Sequence, residues 1–206
     1  MSDKSDFSKL VLRACEQALV EAGFRKLRQQ SVVYDLSSDF LGWVGLNYGC
    51  ENDVGDVRIN PFVGIHCIPL MRMIEELSGS KYQIGRYATF AVHLAEIDSS
   101  VGAFTFSLGD DIEKKARDLA RVVARVSIPY MLQYVTLDAL LPVLRARVPE
   151  LGGYPQRVAV ALYLSGDQSA AVKFVEDKRA EYASDEEVVR TSFDRFAVPF
   201  LSRHRN

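Results

Sequence analysis

Cysteine, tryptophan and histidine are scarce in this chain of 206 residues, which has three cysteines, one tryptophan and three histidines. The cysteines are widely spaced and odd in number, a pattern that fits a reducing compartment better than a disulfide framework. No run of about 18 apolar residues occurs, so we expect no membrane-spanning helix and no membrane partner. The first ten residues, MSDKSDFSKL, are polar and do not form a secretion signal. These absences predict a cytoplasmic location.

Motifs for catalysis, metals and cofactors are also missing. His66, His93 and His204 form no HxxxH or HExxH pair, and no CxxC occurs, so we assign no metal ligands. Gly42 and Gly45 lie in a strand-like run without a following Lys-Ser or Lys-Thr, so we expect no phosphate loop and no cofactor. There is no GxSxG elbow either. The sequence favours a non-catalytic protein and assigns no catalytic residue, although a triad built from distant residues stays open.

What is present is the ordinary composition of a globular protein, with 48% hydrophobic and 25% charged residues. An amphipathic helix is predicted before Gly23. Between residues 24 and 63, β-rich runs separated by turn-forming clusters predict an antiparallel meander. Thr89–Ala95 and Ala103–Leu108 predict a β-hairpin. The fold class is therefore α+β, with an N-terminal helix, a β-meander and hairpin, and a C-terminal helical bundle.

After Asp110 the pattern becomes helical. Thr136 and Asp167 are predicted helix N-caps, and Ser184 with Glu187 fits a capping box. We therefore divide the chain into an α+β sheet region, residues 1–109, and a helical region, residues 110–206. With no low-complexity linker between them, they are expected to form one compact unit.

Charge is distributed unevenly along the chain, although the net charge is only −2. Residues 31–57 and 87–113 each contain five acids and no lysine or arginine, whereas residues 114–157 contain eight bases and three acids. The bases fall at varied helical phases without aromatic residues between them, so we expect no nucleic-acid partner. The acidic turns favour a surface for a basic protein partner. The other interpretation is that solvated turns simply favour aspartate.

Strand alternation places Trp43 and Asn47 on one face and Val44, Leu46 and Tyr48 on the other. An exposed Trp43 beside acidic turns is typical of a binding hot spot, and the alternative is that Trp43 packs under the first helix. The acids and polar or aromatic residues of this region make up the predicted partner-binding set: Asp39, Trp43, Asn47, Tyr48, Glu51, Asp53 and Asp56.

Three segments resemble bacterial immunity-protein-like and domain-of-unknown-function families that are found beside polymorphic toxins. They are the helix end Glu21–Phe24, the strand Phe40–Asn47, and the run Asn60–Gly64. The resemblance covers roughly residues 7–80 and carries no functional residue across. It implies a stoichiometric binder that blocks a toxin through acidic and aromatic surface residues.

We therefore expect a non-catalytic protein-binding module, and more narrowly an immunity protein that neutralises a bacterial toxin or effector, with a basic toxin domain as its partner. Two alternatives stay open: a secretion or effector chaperone, which predicts a homodimer with an apolar groove, and an enzyme with an unmarked active site. The sequence does not indicate the oligomeric state.

Overall fold

The computed structural model describes residues 2–28, 31–51, 56–150 and 153–204, and gives the backbone alone for residues 2–5, 28, 50 and 51. The predicted α+β class is confirmed: an N-terminal helix precedes an antiparallel sheet, and helices fill the C-terminal half. The strands are β1 Arg25–Arg28, β2 Ser31–Asp35, β3 Phe40–Glu51, β4 Asp56–Cys67, β5 Phe90–His93 and β6 Phe104–Phe106. The helices are α1 Ser2–Glu21, α2 Ile68–Leu77, α3 Leu94–Ile97, α4 Ile112–Met131, α5 Leu137–Ala146, α6 Tyr154–Leu164, α7 Gln168–Tyr182 and α8 Glu187–His204.

Contacts within the chain group these elements into two compact units. The first contains Met1–His66 and Gly85–Gln133, and the second contains Cys67–Ile84 and Tyr134–Asn206. These breaks differ from the sequence-based division between residues 109 and 110, which rested on a change of composition. Helix α4, which follows that division, packs against α1 and β6 and so belongs with the sheet.

The first unit is built on a sheet with the strand order β1-β2-β3-β4-β5, and β6 also pairs with β4. Val44 and Leu46 of β3 and Val63 and Ile65 of β4 are fully or almost fully buried. The alternation expected for a strand with one face in a core is clear at the start of β4, where the buried Val57 and Ile59 flank the exposed Arg58. Helices α1 and α4 pack together to cover this core face.

The predicted hairpin of residues 89–95 and 103–108 is wrong. Strands β5 and β6 do not pair with each other in the described sheet, because both pair with the same side of β4. Phe62 lies opposite His93 in β5, and Ile59 lies opposite Phe104 in β6. The short helix α3 occupies part of the connection in which the hairpin turn was expected.

The second unit is centred on α6, which packs against α2, α5, α7 and α8. Its sequence, YPQRVAVALYL, is apolar on nearly all sides, as expected for a helix surrounded by others. The predicted N-caps at Thr136 and Asp167 are confirmed, since their side chains accept hydrogen bonds from the backbone N–H groups of Ala139 and Ala170. The predicted capping box at Ser184 is wrong, because this hydroxyl donates to the carbonyl of Glu181 at the end of α7.

Candidate functional site

Strand β3 continues past the strand that pairs with it. The described pairing of β2 with β3 runs from Asp35 opposite Leu41 to Ser31 opposite Gly45. Beyond Gly45, residues Leu46–Glu51 continue β3 alongside β4. At about 3.3 Å per residue, this segment is roughly 20 Å long. We call the side of Leu46–Glu51 that faces away from β4 the β3 edge.

Other strands at the sides of this sheet have features that discourage pairing with another chain. Strand β1 has four residues, three of them basic (RKLR), and β5 and β6 have four and three residues. Short strands and charged side chains at an edge both block the addition of a further strand. The β3 edge is longer, and its sequence LNYGCE contains no lysine, arginine or proline; Glu51 at its end is the one charged residue. Asn47 and Tyr48 are exposed on it.

Trp43 lies on the sheet face opposite α4. Gly42, its neighbour in β3, points to Met131 at the end of α4, so the side chain of Trp43 projects the other way. Its indole lies over Gly45, where a Cβ atom would clash with the ring. The indole N–H donates to the carbonyl of Gly85 at 3.1 Å. Trp43 is thus half-buried and held in place, and it does not pack under the first helix.

The loop that holds Trp43 is also held by His66, which is 1% exposed. The N–H of Gly85 donates to Nε2 of His66 at 3.3 Å, and Nδ1 lies 2.7 Å from the carbonyl oxygen of Tyr87. Because Nε2 accepts, Nδ1 must carry the proton and donate to Tyr87. Burial lowers the pKa of His66, and the hydrogen bond to Tyr87 opposes that shift. The neutral His66 ring therefore holds Gly85 and Tyr87 in place, and Gly85 in turn accepts the hydrogen bond from Trp43.

The predicted acidic residues do not gather at one end of the sheet. Asp39 lies in the turn before β3, and Asp56 begins β4 after the opposite end of β3. A strand of twelve residues spans roughly 36 Å. Asp39 is exposed and Asp56 is half-buried. The side chain of Glu51 and the whole of Asp53 lie outside the described residues.

Several other acids of the two base-free stretches are engaged locally. Asp35 pairs with Arg25 at 2.7 Å, and Asp111 caps α4 by accepting from the N–H of Lys114. The hydrogen bond from Ser100, more than the nearby Arg125, lowers the pKa of Asp98.

Asp110 is held in the same way. It accepts from Lys115 and from the N–H of Ser107, and the bond from Lys115 is the larger cause of its lowered pKa. These contacts support the interpretation that many turn acids serve the turns themselves.

The described residues contain no group of three or more His, Cys, Asp or Glu side chains that could hold a metal ion. Cys15 and Cys67 are buried thiols, and burial is the main cause that raises the pKa of Cys15 to about 12. Neither cysteine is thus suited to nucleophilic chemistry.

Sequence reasoning identified Asn47 and Tyr48 but missed the β3 edge that carries them. The signal for this edge is the difference in strand length. Strand β3 has twelve residues and β2 has five, so part of β3 must extend beyond β2.

Comparisons with known proteins give no match: no protein family model, no curated protein and no solved structure resembles this chain. Within the described segments, no single helix has the length and apolar character needed to cross a membrane. Two consecutive helical segments with a sharp bend between them, Ile112–Tyr134 and Leu137–Ala146, together have the length and composition of a membrane-spanning helix, and nothing beyond length and composition points to a membrane.

Proposed function

We propose that this chain is a non-catalytic protein-binding module that takes an extended segment of its partner as an additional strand along the β3 edge. The observation that carries the proposal is the continuation of β3 by six residues, Leu46–Glu51, beyond the pairing with β2. An exposed strand edge offers backbone N–H and C=O groups that a second chain can pair with.

The side chains of this region favour a polar or basic partner segment. Asn47 and Tyr48 are exposed beside the edge, and Tyr48 keeps 39% of its surface in contact with solvent. Tyrosine supplies a large contact area at low entropic cost and is enriched in protein interfaces. Among the described residues, Asp56 has no ion pair, and its carboxylate adds negative charge near the end of the β3–β4 ribbon. A lysine-rich or arginine-rich strand is the complementary partner.

An immunity protein that blocks a bacterial toxin is the specific form of this proposal. Such a protein acts by stoichiometric binding and needs no catalytic centre. This form predicts that a neighbouring gene encodes a basic toxin domain. Co-expression of that toxin with this chain should then restore growth, and charge reversal at Glu51, Asp53 and Asp56 should weaken the complex.

Adjacent proline substitutions test the edge itself. In an antiparallel strand, successive N–H groups point to opposite sides, so only one of Asn47 and Tyr48 donates away from β4. We expect one of Asn47→Pro and Tyr48→Pro to leave the thermal unfolding temperature nearly unchanged and to abolish binding of the toxin domain. The other should destabilise the β3–β4 pairing.

Alanine variants at the same two positions are the matched controls, because they remove the side chains and keep the backbone N–H groups. If both proline variants bind the toxin domain like the parent protein, the partner does not pair with this edge and the proposal is wrong.

A further inference from the structure

The second unit carries an apolar groove with a basic rim. It has a volume of about 520 Å³ and lies between the end of α5, helix α6 and one face of α7. Apolar side chains from all three places line it: Val148 and Pro149 after α5, Leu162 of α6, and Ala170 and Phe174 of α7. Leu162 is almost fully buried, whereas Phe174 is half-buried and Pro149 is exposed.

Three bases and one acid also line this groove: Arg145, Lys173, Lys178 and Asp177. Lys173 pairs with Asp177 at 2.9 Å, and Lys178 pairs with Glu181 at 2.6 Å. The charges within each pair offset each other, so the excess positive charge of the rim comes from Arg145. An occupant that carries negative charge at this point complements the groove.

Arg145 is the base that is most available to an incoming anion. It lies in the last turn of α5, is exposed, and forms no ion pair with the residues that the structure describes. A guanidinium group pairs with a carboxylate through two parallel hydrogen bonds, so a single partner glutamate would engage it fully.

The walls of the groove favour a helical occupant over an extended one. They are formed largely by helices, whose backbone N–H and C=O groups are bonded internally along most of their length. An extended segment would lose water from its backbone groups without gaining partners there, whereas a helix satisfies its own. From Ala170 to Lys178 the wall of α7 is about 12 Å long, which matches roughly two helical turns.

We propose that this groove binds an acidic amphipathic helix of a partner protein, with apolar anchors at i, i+3 or i+4, and i+7 on the floor and with a glutamate or aspartate facing Arg145. This surface belongs to the second unit and selects a partner segment of opposite charge and different conformation from the one proposed for the β3 edge. An experiment that disproves one of the two sites therefore leaves the proposal for the other unaffected.

A labelled peptide of about 14 residues, long enough to form a marginal helix in water, provides the probe. It carries an N-terminal serine cap, leucines at i, i+3, i+4 and i+7, and glutamates elsewhere. We expect saturable binding to the full chain in fluorescence anisotropy, with an affinity that falls as salt is added. The double variant Arg145→Glu and Lys173→Glu should bind at least about tenfold more weakly, a change of about 1.4 kcal/mol.

The matched control is Lys114→Glu with Arg121→Glu, two exposed positions of α4 that change the net charge by the same amount. This control should keep the parent affinity within about twofold, well inside the tenfold change expected for the groove. Failure of the glutamate peptide to bind at millimolar concentration would overturn the proposal. So would equal binding of a peptide with lysines in place of glutamates, or equal weakening by the two double variants. All four charged positions are exposed, so thermal melts should show that both variants stay folded.

Discussion

Gly64 of β4 lies opposite Ala91 of β5, at a point where the two backbones approach closely. A Cβ atom at Gly64 would overlap the carbonyl oxygen of Phe90 and approach the Cα atom of Ala91 to 2.7 Å. Because these are backbone atoms of a paired strand, they cannot turn aside as a side chain can. We expect Gly64→Ala to destabilise the protein by about 1–3 kcal/mol, as overpacked cores are.

Gly49 of β3 provides the control, since a Cβ atom there would meet no atom of the described residues within 4 Å. Gly49→Ala should be neutral or slightly stabilising, because alanine restricts the unfolded chain more than glycine does. Urea denaturation of both variants measures the difference. Equal stability of the two variants would contradict the close approach of β4 and β5.

His66 should make stability depend on pH in the mildly acidic range. Burial lowers its pKa from the ordinary value of 6.5, so between the folded and unfolded pKa values the unfolded chain binds more protons. Stability is therefore complete above about pH 6.5 and falls as the pH is lowered through the interval below it. Protonation would place an N–H group at Nε2, directly facing the N–H of Gly85.

The single tryptophan reports this change, because Trp43 is bonded to the same residue as His66. We expect the emission of Trp43 to shift to longer wavelength on acidification in the parent protein. In His66→Asn the part of the stability profile that lies just below pH 6.5 should flatten. Carboxylates titrate in both proteins, so the informative quantity is the difference between their profiles. Identical profiles would show that His66 does not titrate in this range.

The assignment of helix N-caps can be tested by two alanine substitutions. Thr136 accepts from the N–H of Ala139 at 3.2 Å and so satisfies one free donor at the start of α5. We expect Thr136→Ala to cost about 1 kcal/mol. Ser184→Ala should have little effect, because Ser184 does not cap α8 and only donates to Glu181 at the end of α7. Thermal melts of the two variants compare them directly, and a larger loss in Ser184→Ala would restore the predicted capping box.

The elements show which parts of the fold were predictable. The bounds of helix α2 were predictable, because Pro69 in the first turn and Ser78 after the last are local signals. The pairing of β5 and β6 with β4 was not predictable. The sequence of a strand indicates which of its residues alternate between the two faces, but it does not indicate which distant strand pairs with it. The β3 edge was missed for the same reason, as it depends on where the register with β2 ends at Gly45. The alternation of β3 did predict the opposite faces of Trp43 and Val44.

At the scale of the whole molecule, the two compact units predict how fragments behave. A fragment of residues 1–109 lacks α4, against which α1 packs, so the buried side of α1 around Val11 and Cys15 would be exposed to water. We expect this fragment to unfold without cooperativity and to bind a hydrophobic dye. A fragment of residues 1–135 includes α4 and should recover a cooperative transition. Cooperative melting of residues 1–109 would contradict this account of the first unit.

The hydrogen bond between His66 and Gly85 determines how the segment between these two residues can be replaced. His66 is the last residue of the first unit before the chain leaves it, and Gly85 is the first residue after the chain returns. The stretch between them, with α2 inside it, therefore begins and ends at one place, like a graft on the β4–β5 connection. The closely spaced ends let the strands on either side stay in place when this stretch is replaced, but α2 packs against α6 and α8 of the second unit. Replacing the stretch should therefore leave the sheet of the first unit folded while it removes a buried helix from the second unit.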